Sequence, residues 1–160
     1  RTLDVALEDQ ADALEEMKSD LVSLFTLHRM ADDGTIDAAL LRAVQAGGIL
    51  RTLQNVRPRK DQPYQTMQLA QFNYFLDKGL ITADPTTARL TMDYTKYKGV
   101  VTALLEDVLA LQYAGDKAAA EAFFTQWGAW TPDIHEKLAA RIRDAQGARF
   151  RLVRYGALGE

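Results

Sequence analysis

The sequence predicts a mainly α fold, an irregular bundle of six helices with one small β-hairpin, formed as a single domain over residues 1–160. Three observations predict it. Apolar residues recur at helical spacing over long stretches, most clearly at Val100, Val101, Leu104, Leu105, Val108 and Leu111. Helix stops meet helix starts directly, as at Gly115-Asp116. Only one place reads as paired strands, Leu80-Ile81-Thr82 and Arg89-Leu90-Thr91-Met92, around the turn Ala83-Asp84-Pro85-Thr86.

The elements follow in order. The first helix begins between Val5 and Ala13 and reaches about Met30, where Asp32-Asp33-Gly34 signals a turn. Its later half, Leu21 to Leu27, is apolar nearly all round, which predicts burial on several sides. A second helix is expected from Ile36 to about Leu53, with Thr35 as its cap and Gly47-Gly48 marking a kink or a close helix contact. The polar stretch Arg57 to Pro63 is a loop bounded by prolines. The third helix runs from about Tyr64 to Lys78, closed by Gly79 in a left-handed cap. After the hairpin, Asp93 caps a fourth helix that reaches about Tyr113. The fifth ends near Trp127 at Gly128, and Thr131-Pro132 opens the sixth, which stops near Gly147 before an irregular or extended tail.

Composition narrows the function. With 48% hydrophobic and 26% charged residues the chain is ordinary for a soluble globular protein. A net charge of −3 with interleaved basic residues argues against a nucleic-acid partner, which calls for a clustered basic face. No cysteine is present, so neither a disulfide nor a thiolate metal site is available. No apolar run is long enough to span a bilayer. The compartment stays open between cytoplasm and periplasm. The start at Arg1, without Met or a signal-like segment, reads as a piece of a longer protein.

The string with chemistry in it is Leu14-Glu15-Glu16-Met17-Lys18-Ser19-Asp20. On a helix Glu16 and Asp20 share one face, about 5–6 Å apart at Cβ. By spacing alone they are a solvated acidic face or a cation site. The apolar run after Asp20 puts them at the edge of a buried region, where carboxylates need a cation, a protonated histidine or backbone donors. A divalent metal meets that need.

This string resembles a motif of the dipeptidyl peptidase III metallopeptidases, in particular their bacterial members. There Glu-Glu-x-x-x-Glu or Glu-Glu-x-x-x-Asp lies on a helix and completes a zinc site begun by His-Glu-x-x-x-His. The similarity continues through Gly48-Ile49-Leu50-Arg51, Gln71-Phe72-Asn73-Tyr74, Lys78-Gly79, Leu90 to Asp93, and Gly115-Asp116 with Ala119 and Ala120. It thus covers about Leu14 to Arg143.

The resemblance implies that Glu16 is a zinc ligand, that Glu15 helps bind substrate or water, and that Asp20 accepts a hydrogen bond from a ligand histidine. The two histidines and the catalytic glutamate would lie before Arg1, in an upstream portion of the same protein. It implies one zinc ion, a peptide substrate, and hydrolysis by an activated water. A family histidine that stabilises the tetrahedral intermediate is matched here by Tyr64. Tyr64 fits two roles, a phenol donating to an oxyanion or an aromatic packing at a helix start. The replacement supports an alternative function, a helical interaction or scaffold domain that keeps the peptidase fold with catalysis impaired.

The remaining candidates read as structural. His135-Glu136 begins like a zinc-protease motif, but Ala139 follows where a second ligand is needed, so both side chains are expected on an exposed helix face. His28 is expected to pack or cap. The basic tail with Arg141, Arg143, Arg149, Arg151 and Arg154 reads as solvated surface. Exposed apolar surface is expected where the upstream portion docks.

Overall fold

The computed structural model describes residues 2–52, 59 and 61–146. The expected end of the second helix at Leu53, the loop residues Arg57, Pro58 and Lys60, and the tail with Arg149, Arg151 and Arg154 lie outside them.

The fold is mainly α, as predicted: the described residues form a one-turn helix, six longer helices and one two-stranded antiparallel hairpin. The elements are α1 (Leu3–Leu7), α2 (Ala11–Asp32), α3 (Ala38–Thr52), α4 (Pro63–Asp77), β1 (Ile81–Asp84), β2 (Arg89–Met92), α5 (Tyr97–Ala114), α6 (Lys117–Trp127) and α7 (Pro132–Gln146). Short 3-10 turns at Glu8–Gln10 and Tyr94–Lys96 lead into α2 and α5.

Helix α2 is the centre, packed against both α4 and α5. It contributes Leu14, Met17 and Leu21, all fully buried. Helix α5 answers with Tyr97, Val101, Leu104 and Val108, spaced to form one stripe, and α4 adds Met67, Phe72 and Phe75.

The later half of α2 corrects an expectation. Leu21 and His28 are buried, but Val22 and Phe25 are each 43% exposed. The neighbouring helices cover one side of α2, and the apolar residues on its other side are left open, so the run is not enclosed all round.

The helix ends are built by local chemistry. The cap of α3 is Asp37, whose carboxylate accepts the Leu40 N–H at 2.7 Å, rather than the expected Thr35. Thr35 instead gives both its N–H and its hydroxyl to Asp33. A carboxylate is the stronger acceptor at a helix N-terminus, so the start moves to Asp37. Gly79 closes α4 at φ +66°, with the Leu80 N–H returning to the Phe75 carbonyl at 3.0 Å. Gly115 closes α5 at φ +58°, and a Cβ there would sit 3.3 Å from that of Ala6. Asp116 caps α6 through the Ala119 N–H. The hairpin pairs Ile81 with Met92 and Asp84 with Arg89, and the Asp84 carboxylate holds its turn by accepting from the Thr86 and Thr87 N–H groups.

A second correction concerns His135, which is only 2% exposed. Its Nδ1 accepts the Thr131 N–H at 2.7 Å, and its Nε2 meets Asn73 Oδ1 at 2.6 Å. The Asn73 amide donates in turn to the carbonyls of Trp127 and Ala129. Trp130 stacks on the ring and Phe72 meets it edge-on. The histidine faces inward because α7 docks on α4, a contact that spacing within α7 alone does not reveal.

Candidate functional site

Glu16 and Asp20 lie one turn apart on the α2 face that looks toward α3 and α4, both partly buried. Tyr64, the second residue of α4, stands across from them and is 56% exposed. These three side chains, with Arg51 from α3, wall a crevice of about 200 Å³ floored by Met67. The sequence-derived candidates Glu16, Asp20 and Tyr64 are therefore brought together.

Asp20 is held on both oxygens. Arg51 Nη2 donates to one and Gln71 Nε2 to the other, each at 3.1 Å. Gln71 is 2% exposed, so its amide is fixed by the core of α4. A carboxylate gripped from two helices keeps one orientation. The Glu16 carboxylate beside it pushes the Tyr64 phenol above its ordinary pKa, opposed in part by the charge of Arg51. The phenol thus keeps its proton at neutral pH and can donate it.

Glu15 stands about 100° round the helix from Glu16. Its carboxylate takes hydrogen bonds from Lys18 and from Gln112 of α5. The Lys18 bond lowers its pKa most, with desolvation opposing and Gln112 assisting. Glu15 is not among the crevice walls.

Neither histidine reaches the crevice. His28 packs on the Tyr97 ring at 5.5 Å between centroids, and its Nε2 accepts from the Gln45 amide at 3.2 Å. Burial lowers its pKa first, the Lys98 charge lowers it further, and Asp32 opposes. Burial likewise lowers that of His135. Among the described residues no group of three or more His, Asp or Glu is placed to hold a metal ion. The crevice supplies carboxylate oxygens without imidazole, which suits a share of a zinc coordination set rather than a whole one.

Arg51 and Gln71 are the site residues that sequence reasoning did not single out. For Gln71 there was a signal, an amide amid Met67, Ala70, Phe72 and Phe75, all core positions. A buried amide needs partners, and Asp20 is one. For Arg51 the partner lies 31 residues away, and nothing local announces it.

With this geometry in place, the chain can be set beside known proteins. It is similar to the solved structure of dipeptidyl peptidase III from Caldithrix abyssi, with TM-score 0.76 and 23% identity over 89% of this chain and 27% of that one. It is likewise similar to dipeptidyl-peptidase III from Corallococcus sp. strain EGB, with TM-score 0.74 and 27% identity over 89% of this chain and 26% of that one. The resemblance read from the motifs is therefore matched in three dimensions, and the chain spans about a quarter of the length of those structures. In sequence it is 26% identical to "Nudix hydrolase 3" of Arabidopsis thaliana over 114 residues, 71% of this chain and 15% of that protein. No protein-family model matches. No helix among the described residues is long and apolar enough to cross a membrane.

Proposed function

We propose that this chain is the glutamate-bearing part of a zinc-dependent peptidase of the dipeptidyl peptidase III kind, joined in the working protein to a segment that supplies the histidines. The observation that carries the reading is the crevice itself. Glu16 is one turn from Asp20 and shares the crevice with Tyr64, on a fold similar to that of dipeptidyl peptidase III.

In this reading Glu16 is the carboxylate ligand, and Asp20 accepts the N–H of a ligand imidazole, fixing its ring. Gln71 keeps Asp20 aimed. Arg51, half-exposed at its end of the pair, can swing aside to free an oxygen. Tyr64 donates from its protonated phenol toward charge developing on a peptide carbonyl. Zinc, when bound, supplies the Lewis acidity that makes water reactive at neutral pH. Glu15, tied to Lys18 and Gln112, would reach substrate or water only from outside the crevice.

A second reading has one observation in its favour. Both oxygens of Asp20 are already satisfied by Arg51 and Gln71, an arrangement that stands without a metal. That suits a helical interaction domain with the peptidase fold and no catalysis. Zinc analysis and a dipeptide-release assay on the full-length protein separate the two. The peptidase reading expects about one zinc per chain and hydrolysis that chelators remove. Absence of both in a folded protein rejects it.

A further inference from the structure

Behind the crevice, sharing Asp20, Ser23 and Arg51 with it, lies a cavity of about 270 Å³ between α2, α3, α4 and α5. Leu24, Leu27, Val44 and Phe75 give it apolar walls, and Gln68 and Gln71 join Asp20 and Arg51 on its polar side. An apolar cavity of about 150 Å³ already takes a benzene ring, so the volume here is enough for one. A phenol stands deep within it. Tyr97 is 1% exposed, lines the cavity, and among the described residues its hydroxyl makes no hydrogen bond. Burial and the nearby Asp20 charge hold that phenol protonated, so it has a proton to donate. Gly48 opens the wall beside it: a Cβ at that position would meet only the Tyr97 hydroxyl, at 3.9 Å.

We infer that this cavity is a side-chain pocket selective for an aromatic residue bearing a hydroxyl, a tyrosine of a peptide laid across the Glu16–Tyr64 crevice. The inference rests on the peptide-binding part of the function proposed above. The ring fills the apolar volume, and its phenol oxygen accepts the Tyr97 proton, for which no hydrogen-bonded protein acceptor is present among the described residues. A phenylalanine fills the space but leaves that donor unpaired. An alanine does neither. A site built to bond a hydroxyl discriminates strongly against the analogue that lacks it.

The test is calorimetric titration of the protein with the N-acetyl amides of tyrosine, phenylalanine and alanine, which needs neither metal nor turnover. Tyrosine amide is expected to bind about tenfold or more tighter than alanine amide, with phenylalanine between them. Tyr97→Phe, which keeps the ring and its packing, is expected to equalise tyrosine and phenylalanine. Gly48→Leu, which extends a side chain into the open volume, is expected to bring all three to the alanine level. Equal binding of the three by the unaltered protein overturns the pocket and leaves the peptide reading standing. So does an unchanged tyrosine-to-phenylalanine ratio in the folded Tyr97→Phe variant. Binding of none overturns the peptide reading and the pocket with it.

Discussion

The Nε2 of His135 lies 2.6 Å from the Oδ1 of Asn73, and the bond joins α7 to α4 across 62 residues of sequence. The proton positions follow from the partners. The Asn73 amide faces two carbonyls, so its oxygen is turned to the ring and Nε2 carries the ring hydrogen. That leaves Nδ1, 2.7 Å from the Thr131 N–H and 3.0 Å from the Thr131 carbonyl, to accept. Asn73→Ala is expected to lower unfolding free energy by about 2–3 kcal/mol, because two carbonyls and a buried imidazole N–H lose a partner. Urea denaturation measures it, and a loss below about 0.5 kcal/mol would show the network to be solvated.

The same geometry sets a pH dependence. Burial lowers the pKa of both His28 and His135 below the ordinary imidazole value, so the folded chain favours their neutral forms. The unfolded chain takes up those protons first as pH falls. Their stabilising contribution is therefore present above about pH 6.5 and is lost as pH drops through the lowered folded values. Unfolding curves at pH 7.5 and pH 5 should show this loss. A variant with both histidines changed to glutamine should show a shallower decline over the same interval.

Two glycines should respond in opposite directions. Gly99, in the first turn of α5, has open space within 4 Å of where a methyl group would sit, so Gly99→Ala is expected to stabilise by about 0.5–1 kcal/mol. Gly115 has φ +58° and a close Ala6 neighbour, so Gly115→Ala is expected to destabilise by about 1 kcal/mol or more. Thermal melts of the two variants check both signs.

The two partners of Asp20 should also differ. Arg51 is half-exposed in its ion pair, so Arg51→Ala is expected to change stability by less than about 1 kcal/mol. Gln71 is a core residue, and Gln71→Ala is expected to cost about 1–3 kcal/mol through lost packing and a lost bond to a charged group. Denaturation of the two variants side by side resolves them.

What was legible in the sequence was local. The stripe of α5, the Gly115-Asp116 junction, the left-handed cap at Gly79 and the hairpin turn at Asp84 each depend on residues within a few positions of one another. The pairing of Glu16 with Asp20 on one face was legible for the same reason. What was not legible depended on remote partners. His135 looks like an exposed residue until α4 brings Asn73 to it, and Arg51 is an ordinary basic residue until α2 brings Asp20. The apolar run of α2 shows the reverse case. Its composition pointed to enclosure, yet Val22 and Phe25 stand open because no described helix covers that side.

The central claim is that the Glu16 carboxylate, and not its neighbour Glu15, holds zinc together with imidazoles from another part of the protein. The most direct measurement is the zinc dissociation constant of the full-length protein, by chelator competition, for Glu16→Ala beside Glu15→Ala. The account expects Glu16→Ala to weaken zinc by about a hundredfold or more, the loss of one of a few direct ligands, while Glu15→Ala binds nearly as the parent does. Equal affinity in the Glu16→Ala protein, or a larger loss at Glu15, would contradict it.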